Sequence, residues 1–160
     1  MAVVNTLWLN PSDWLNITLR LILAAVVGGV IGWNRQIKGK AAGLRTHMLV
    51  SLGSALFVLI PLLGNPSDGN AISRAIQGVA TGIGFLGAGE IIQRSSKSSN
   101  NPKVKGLTSA ASIWVTAALG MLTACGLWQV SLVGTVLTLL ILSGAKWLER
   151  FIPSSQDEEE

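Results

Sequence analysis

The chain has 160 residues, a mass of 16.8 kDa, 12% charged residues, a net charge of +4 and a mean hydropathy of +0.52. About a quarter of a soluble domain is charged, so an ordinary soluble globule is excluded, and the apolar content excludes disorder. A single cysteine, Cys125, excludes a disulfide-stapled secreted module.

From Gly106 to Ala145, 40 consecutive residues carry no formal charge, and from Thr46 to Ser67 there are 22 more. A helix crosses a bilayer with about 20 apolar residues. The pattern predicts five spans, at about Trp14–Trp33, Met48–Leu63, Ala75–Ile92, Leu107–Leu127 and Val130–Trp147. The fold class is therefore an all-α polytopic membrane bundle, with the lipid bilayer as solvent. Only Gly126-Leu127-Trp128-Gln129 can turn between the last two spans, which predicts a tight helical hairpin. Trp14 and Trp33 are 19 residues apart, as are Trp128 and Trp147. At 1.5 Å per residue each pair is separated by roughly 28 Å, close to the hydrocarbon thickness, so these rings read as interface anchors.

Arg35, Lys38, Lys40 and Arg45 lie between spans one and two; Arg94, Lys97, Lys103 and Lys105 between three and four; Lys146 and Arg150 after five. With five crossings these cations share one side, leaving Arg20 and Arg74 for the other. The positive-inside rule then puts the N-terminus outside and the C-terminus in the cytoplasm. Arg20 is the first cation, which argues against a cleavable signal and suggests a side chain that snorkels to the outer interface. Three segments result: 1–13 interfacial, 14–148 transmembrane, and 149–160 an acidic cytoplasmic tail after which no soluble domain is expected.

Gly43-Leu44-Arg45-Thr46 opens span two and Gly106-Leu107-Thr108-Ser109 opens span four, each with an Ala-Leu pair at the same offset (Ala55-Leu56, Ala118-Leu119). Spans one–two and three–four thus read as parallel repeats of one hairpin. Both repeats gather a helix N-terminus at the cytoplasmic face, where Thr46, Thr108 or Ser109 are candidate caps. Lys40, Arg45, His47, Lys103 and Lys105 are close by in sequence, a setting suited to an anionic ligand or an acidic lipid headgroup.

Span three holds Gly78, Gly82, Gly84, Gly87 and Gly89. Gly82, Gly84 and Gly87 match the GxGxxG pattern in form, but no strand precedes them and no acid follows at the required distance. Small residues in lipid let backbones approach, so these glycines, with Gly28 and Gly32 of span one, predict that spans one and three are central and closely packed. Span five, with Leu137, Leu139, Leu140, Ile141 and Leu142, reads as lipid-facing.

These blocks carry a resemblance. Gly28-x3-Gly32, Arg35, Gly39-Lys40, Ala42-Gly43-Leu44-Arg45-Thr46-His47, Arg74-x2-Gln77-x3-Thr81-Gly82 through Gly89, and Gly106-Leu107-Thr108-Ser109-Ala110-Ala111-Ser112 resemble the MgtC/SapB membrane family over roughly residues 15–150. The resemblance implies a bacterial inner-membrane protein of about five spans with a regulatory role in magnesium limitation and acid stress. It also implies candidate partners among membrane transporters and the rotary ATP synthase. Some members carry a cytoplasmic C-terminal domain, which is not expected here. Where the family pattern has an acid before the arginine ending span one, this chain has Asn34; where the family is apolar after the glycine block, it has Glu90. Glu90 is therefore expected either to replace the missing carboxylate beside Arg35 or Arg45, or to pair with Arg94 one turn on.

Catalysis has little support: His47 is the only histidine, Cys125 has no base in range, and no cluster has metal-ligand spacing. The sequence predicts no cofactor, no metal and no nucleic-acid partner. Two functions remain, a non-enzymatic regulator of ion homeostasis that docks on membrane partners, and a small-ion or proton transporter using Glu90 and span three. Close-packing glycines suggest a homodimer or higher homo-oligomer. Candidate functional residues are Arg35, Lys40, Arg45, Thr46, Arg74, Gln77, Glu90 and Thr108.

Overall fold

A computed structural model describes residues 9–10, 12–96 and 106–149; the acidic tail, Lys97, Lys103, Lys105 and Arg150, and the side chains of Arg94, Lys146 and Trp147, lie outside the described residues. The chain forms five helices: α1 (Trp14–Ile37), α2 (Leu44–Gly64), α3 (Gly69–Ser96), α4 (Leu107–Ala124) and α5 (Trp128–Glu149). Each corresponds to one expected span, though α4 ends at Ala124, three residues short of the expected Leu127. Four are long and apolar enough to cross a membrane, and α5 is apolar over Trp128–Gly144.

Local chemistry sets the boundaries. The Asp13 carboxylate caps α1 by accepting the Asn16 N–H at 3.1 Å, and Asp68 caps α3 through the Ala71 N–H at 3.0 Å. α1 ends where Gly39 takes φ 62°, with Gly39 N–H donating to the Gln36 carbonyl and Lys40 N–H to the Arg35 carbonyl. α4 ends the same way: Gly126 takes φ 76°, and Gly126 and Leu127 donate to Thr123 and Leu122. Both are Schellman closures, which require a left-handed residue that glycine adopts without strain. The hairpin between α4 and α5 thus turns on Cys125-Gly126-Leu127, one residue earlier than its composition suggested.

α2 and α4, not α1 and α3, form the centre. Half of the α4 span is buried within the chain but only 6% of the α3 span. α2 packs on α1, α4 and α3, while α5 packs on α4 and α1. One apolar cluster joins Ile17, Ala24, Ala55, Val58, Leu59, Leu62 and Ala124; a second joins Val27, Ile31, Leu119 and Leu142. The glycines explain the reversal. A Cβ on Gly28 would collide with the His47 carbonyl, and one on Gly32 would fall 2.7 Å from Leu44 Cα. Yet a Cβ on Gly78, Gly82, Gly84 or Gly89 would meet nothing within 4 Å, and only Gly87 touches a neighbour, Ala110 at 3.3 Å. Glycine permits close approach without specifying to what. The closest contact at the centre is made by Gly120 of α4 against the Ser51 carbonyl of α2.

Trp14, Trp33 and Trp128 are exposed, as interface anchors require. Leu137, Leu140 and Ile141 of α5 also face outward, whereas Leu142 turns into the core. The two hairpins share one detail: His47 and Ala110, which stand four residues after Gly43 and Gly106, receive Gly28 of α1 and Gly87 of α3 respectively.

Arg20 does not simply snorkel. It is buried, donating from Nη1 to the Ala124 carbonyl at 2.6 Å and from Nε to Asn16 Oδ1 at 3.0 Å. The end of α4 has carbonyls with no partner inside the helix and the negative end of its dipole, and a guanidinium answers both. Arg20→Met is expected to cost about 1–2 kcal/mol, read as a lower thermal unfolding midpoint in nanodiscs. An unchanged midpoint would assign this contact no weight.

Candidate functional site

A buried polar seam runs between α1, α2 and α4 at the end where α2 and α4 begin. It arises from helical spacing. On α2, His47, Ser51 and Ser54 recur at four and three residues; on α4, Ser109, Ser112 and Thr116 recur at three and four. Such spacing puts each set on one face, and the two faces meet. All six side chains are buried, with His47, Ser51 and Thr116 fully so.

Arg35, in the last turn of α1, enters this seam at 2% exposure and donates from Nη2 to Ser109 Oγ at 2.7 Å. Ser112 Oγ lies 2.7 Å from the Ser109 carbonyl and 3.2 Å from His47 Nε2, and His47 Nδ1 lies 2.9 Å from the Gly43 carbonyl. With Nδ1–H donating to Gly43, Nε2 is an acceptor, and the single Ser112 proton serves either the ring or Ser109. Thr116 Oγ1 closes the series on the Ser112 carbonyl at 2.8 Å. One cation, one imidazole and three hydroxyls are thus tied across three helices. Where apolar helices have only packing to hold them, such bonds fix depth and rotation.

The expected caps are different. Gly43 and Gly106 are the N-caps of α2 and α4, neither with a side-chain cap bond, and Gly106 takes φ 102°. Gln36 Oε1 accepts the Leu44 N–H at 3.1 Å instead. Thr46 is half-buried, Thr108 is exposed, and Ser109 is committed to Arg35.

The remaining predicted residues separate into two groups. Arg45 and Thr46 line a shallow cavity of about 340 Å³ with Gln36, Ala41, Gly43 and Leu44. Glu90 lines an adjoining one of about 320 Å³ with Ala41, Ala42, Thr46, Leu86, Gly89 and Ile113. Lys40 is half-buried in the same α1–α2 loop. Arg74 and Gln77 lie elsewhere, exposed near the start of α3. His47 and Ser112 were not among the predicted site residues. The signal for them was the 3–4 spacing of polar residues within two charge-free spans.

The comparisons with known proteins bear on this arrangement. The model of the MgtC family matches residues 21–151. The chain belongs to the MgtC family. It is 54% identical over 153 residues to Protein SrpB of Synechococcus elongatus, covering 92% of this chain and 84% of that one. It is 46% identical over 130 residues to a protein of Escherichia coli K12 named putative magnesium transporter YhiD, covering 78% of this chain and 58% of that one. Protein MgtC of Salmonella typhimurium LT2 is 36% identical over 121 residues, or 76% of this chain and 48% of that one. The chain therefore spans most of the first relative and about half of the other two. No solved structure matches it.

This MgtC-family protein is a multi-pass helical membrane protein. The two residues expected to depart from the family pattern have different neighbours: Asn34 donates from Nδ2 to Ser143 Oγ of α5 at 3.2 Å, while Glu90 stands against the α1–α2 loop. Lys38 reinforces the Asn34 side, with Nζ 2.9 Å from the Leu142 carbonyl and 3.1 Å from Ser143 Oγ.

Proposed function

We propose that the protein is a non-enzymatic inner-membrane regulator of magnesium, phosphate and proton homeostasis, acting in stress adaptation by docking on other membrane proteins. The observation that carries this reading is that most of the polar seam is bonded internally, Ser51 Oγ being the one seam hydroxyl with no hydrogen-bond partner among the described residues. Arg35, His47, Ser109, Ser112 and Thr116 are each at most 3% exposed and bonded to one another or to helix carbonyls. Groups that conduct ions through a bundle line water-filled space; these brace three helices. A cavity of about 500 Å³ between α2 and α3 is lined by Leu49, Phe57, Val79, Ile83 and, Ser54 apart, other apolar residues and glycines, and so offers an ion little to replace its hydration shell. A rigid interior leaves the outer surfaces to do the work. Membership in the MgtC family and the name of its Escherichia coli relative, putative magnesium transporter YhiD, support the magnesium context. Transporters of cations or phosphate and the rotary ATP synthase are the candidate partners, with the α1–α2 loop on the cytoplasmic side.

A second reading, transport of a small ion or proton, is favoured by Glu90, whose cavity borders Thr46. Purified protein in liposomes decides between them. Magnesium, phosphate and proton fluxes are expected at the level of empty vesicles, and the protein is expected to retain membrane partners in a detergent pull-down. A flux that Glu90→Gln abolishes would establish the second reading and overturn the first.

A further inference from the structure

α3 presents polar groups to the outside of the bundle at the depth of the membrane interior. Asn70, Arg74, Gln77, Thr81, Gly84 and Ala88 recur at three and four residues, share one helix face, and are all exposed. Thr81 stands at the middle of the Gly69–Ile92 span. By the helical rise, Gln77 lies about 6 Å and Arg74 about 10 Å from that level, both within the hydrocarbon. Polar side chains at such depth face protein or water, not lipid. Among the described residues nothing of this chain covers the face: α2 and α4 take the other side of α3, and α5 packs on α1 and α4 without touching it.

We propose that this face of α3 pairs with the same face of a second copy, about a twofold axis along the membrane normal. Self-complementarity selects the occupant. Gln77 Nε2 donates to Ser73 Oγ at 3.1 Å, leaving its second hydrogen and Oε1, a donor and an acceptor that match the same pair on another Gln77. The Thr81 hydroxyl, also donor and acceptor, repeats the match at mid-membrane. Gly84, where a Cβ would meet nothing within 4 Å among the described residues, and Ala88 let the two axes close. Arg74 leans toward the N-terminus of its helix, as helical side chains do. There it meets the partner's Asn70 and, beyond it, the partner's Asp68, so each arginine finds an amide and an acid instead of its twin. A foreign helix would have to supply these complements in register; a second copy carries them.

Single cysteines at Thr81 and Gly84, oxidised in native membranes and again after reconstitution of the purified protein in liposomes, test the proposal. Both sites are exposed, so the fold tolerates them, and the native Cys125 is buried and serves as background. The expected result is a disulfide-linked dimer from Thr81→Cys and Gly84→Cys, and none from Leu137→Cys on the exposed face of α5. Gln77→Leu combined with Thr81→Val keeps the helix apolar and is expected to lower the dimer fraction roughly tenfold in single-molecule photobleaching. Cross-linking at Leu137 but not on α3, a monomer in both settings, or an α3 adduct of another protein's mass would each overturn it. The outcome is separate from the choice between regulation and transport, because neither flux nor partner retention enters it.

Discussion

Gly120→Ala is expected to destabilise the bundle by about 2 kcal/mol, although alanine is the better helix former. In an exposed helix interior the same exchange gains up to about 1 kcal/mol. At Gly120 a Cβ would overlap the Ser51 carbonyl oxygen and stand 2.8 Å from both the Ser51 carbonyl carbon and Oγ. The obstacle is backbone, which cannot rotate aside, so α2 and α4 must separate along the contact that holds the centre. Overpacking of this kind costs about 1–3 kcal/mol. Separation would also stretch the His47–Ser112 bond one face along, since both belong to the same pair of helices. Gly84→Ala is the control: its Cβ meets nothing within 4 Å among the described residues, so the monomer is expected to gain stability slightly. Reversible unfolding of both variants in mixed micelles measures the difference. A Gly120→Ala protein as stable as the parent would mean that the α2–α4 spacing is not set here.

The contrast between these two glycines marks what the sequence could and could not convey. Uninterrupted apolar length and the placement of Trp14, Trp33 and Trp128 depend only on the solvent, so five helices were legible, while their ends, set by caps and glycine turns, fell up to six residues from the expected bounds. Which helix each face meets depends on tertiary arrangement. Gly78, Gly82 and Gly84 read like Gly28 and Gly32 because glycine's contribution is the absence of a side chain, and an absence names no neighbour. Hydroxyl-bearing residues were the better guide. Ser51, Ser109, Ser112 and Thr116 are small enough for close packing and polar enough to need partners, and they mark the two helices that became the core. Arg35 was legible as a charge at the edge of a span, but its burial against Ser109 was not. His47 was discounted as a solitary histidine, yet its value comes from Ser112, 65 residues away. Arg20 was expected to snorkel rather than to be bonded inside the bundle, since the carbonyls at the end of α4 become visible only once α4 lies beside α1.

Removing the Ser109 hydroxyl is expected to be worse than removing it together with the charge it serves. Ser109→Ala deletes the acceptor 2.7 Å from Arg35 Nη2 and leaves a guanidinium that is 2% exposed with one bond fewer. A buried donor stripped of its acceptor costs about 1–3 kcal/mol, more when it is charged. The change is otherwise small, since alanine fills the space of serine's Cβ and keeps the α4 helix. Arg35→Leu in the same protein removes the charge that had become costly to hold, and replacing a buried polar pair by apolar groups is often neutral. The double variant is therefore expected to recover at least half of the stability lost by Ser109→Ala, even though it carries one more substitution. Independent sites would instead add their losses. A complete cycle of the two single variants and the double, measured by reversible unfolding in the same micelles, gives the coupling directly. If the double variant is weaker than Ser109→Ala by the full cost of Arg35→Leu alone, the two side chains are uncoupled. Arg35 would then owe its burial to contacts other than the hydroxyl of α4.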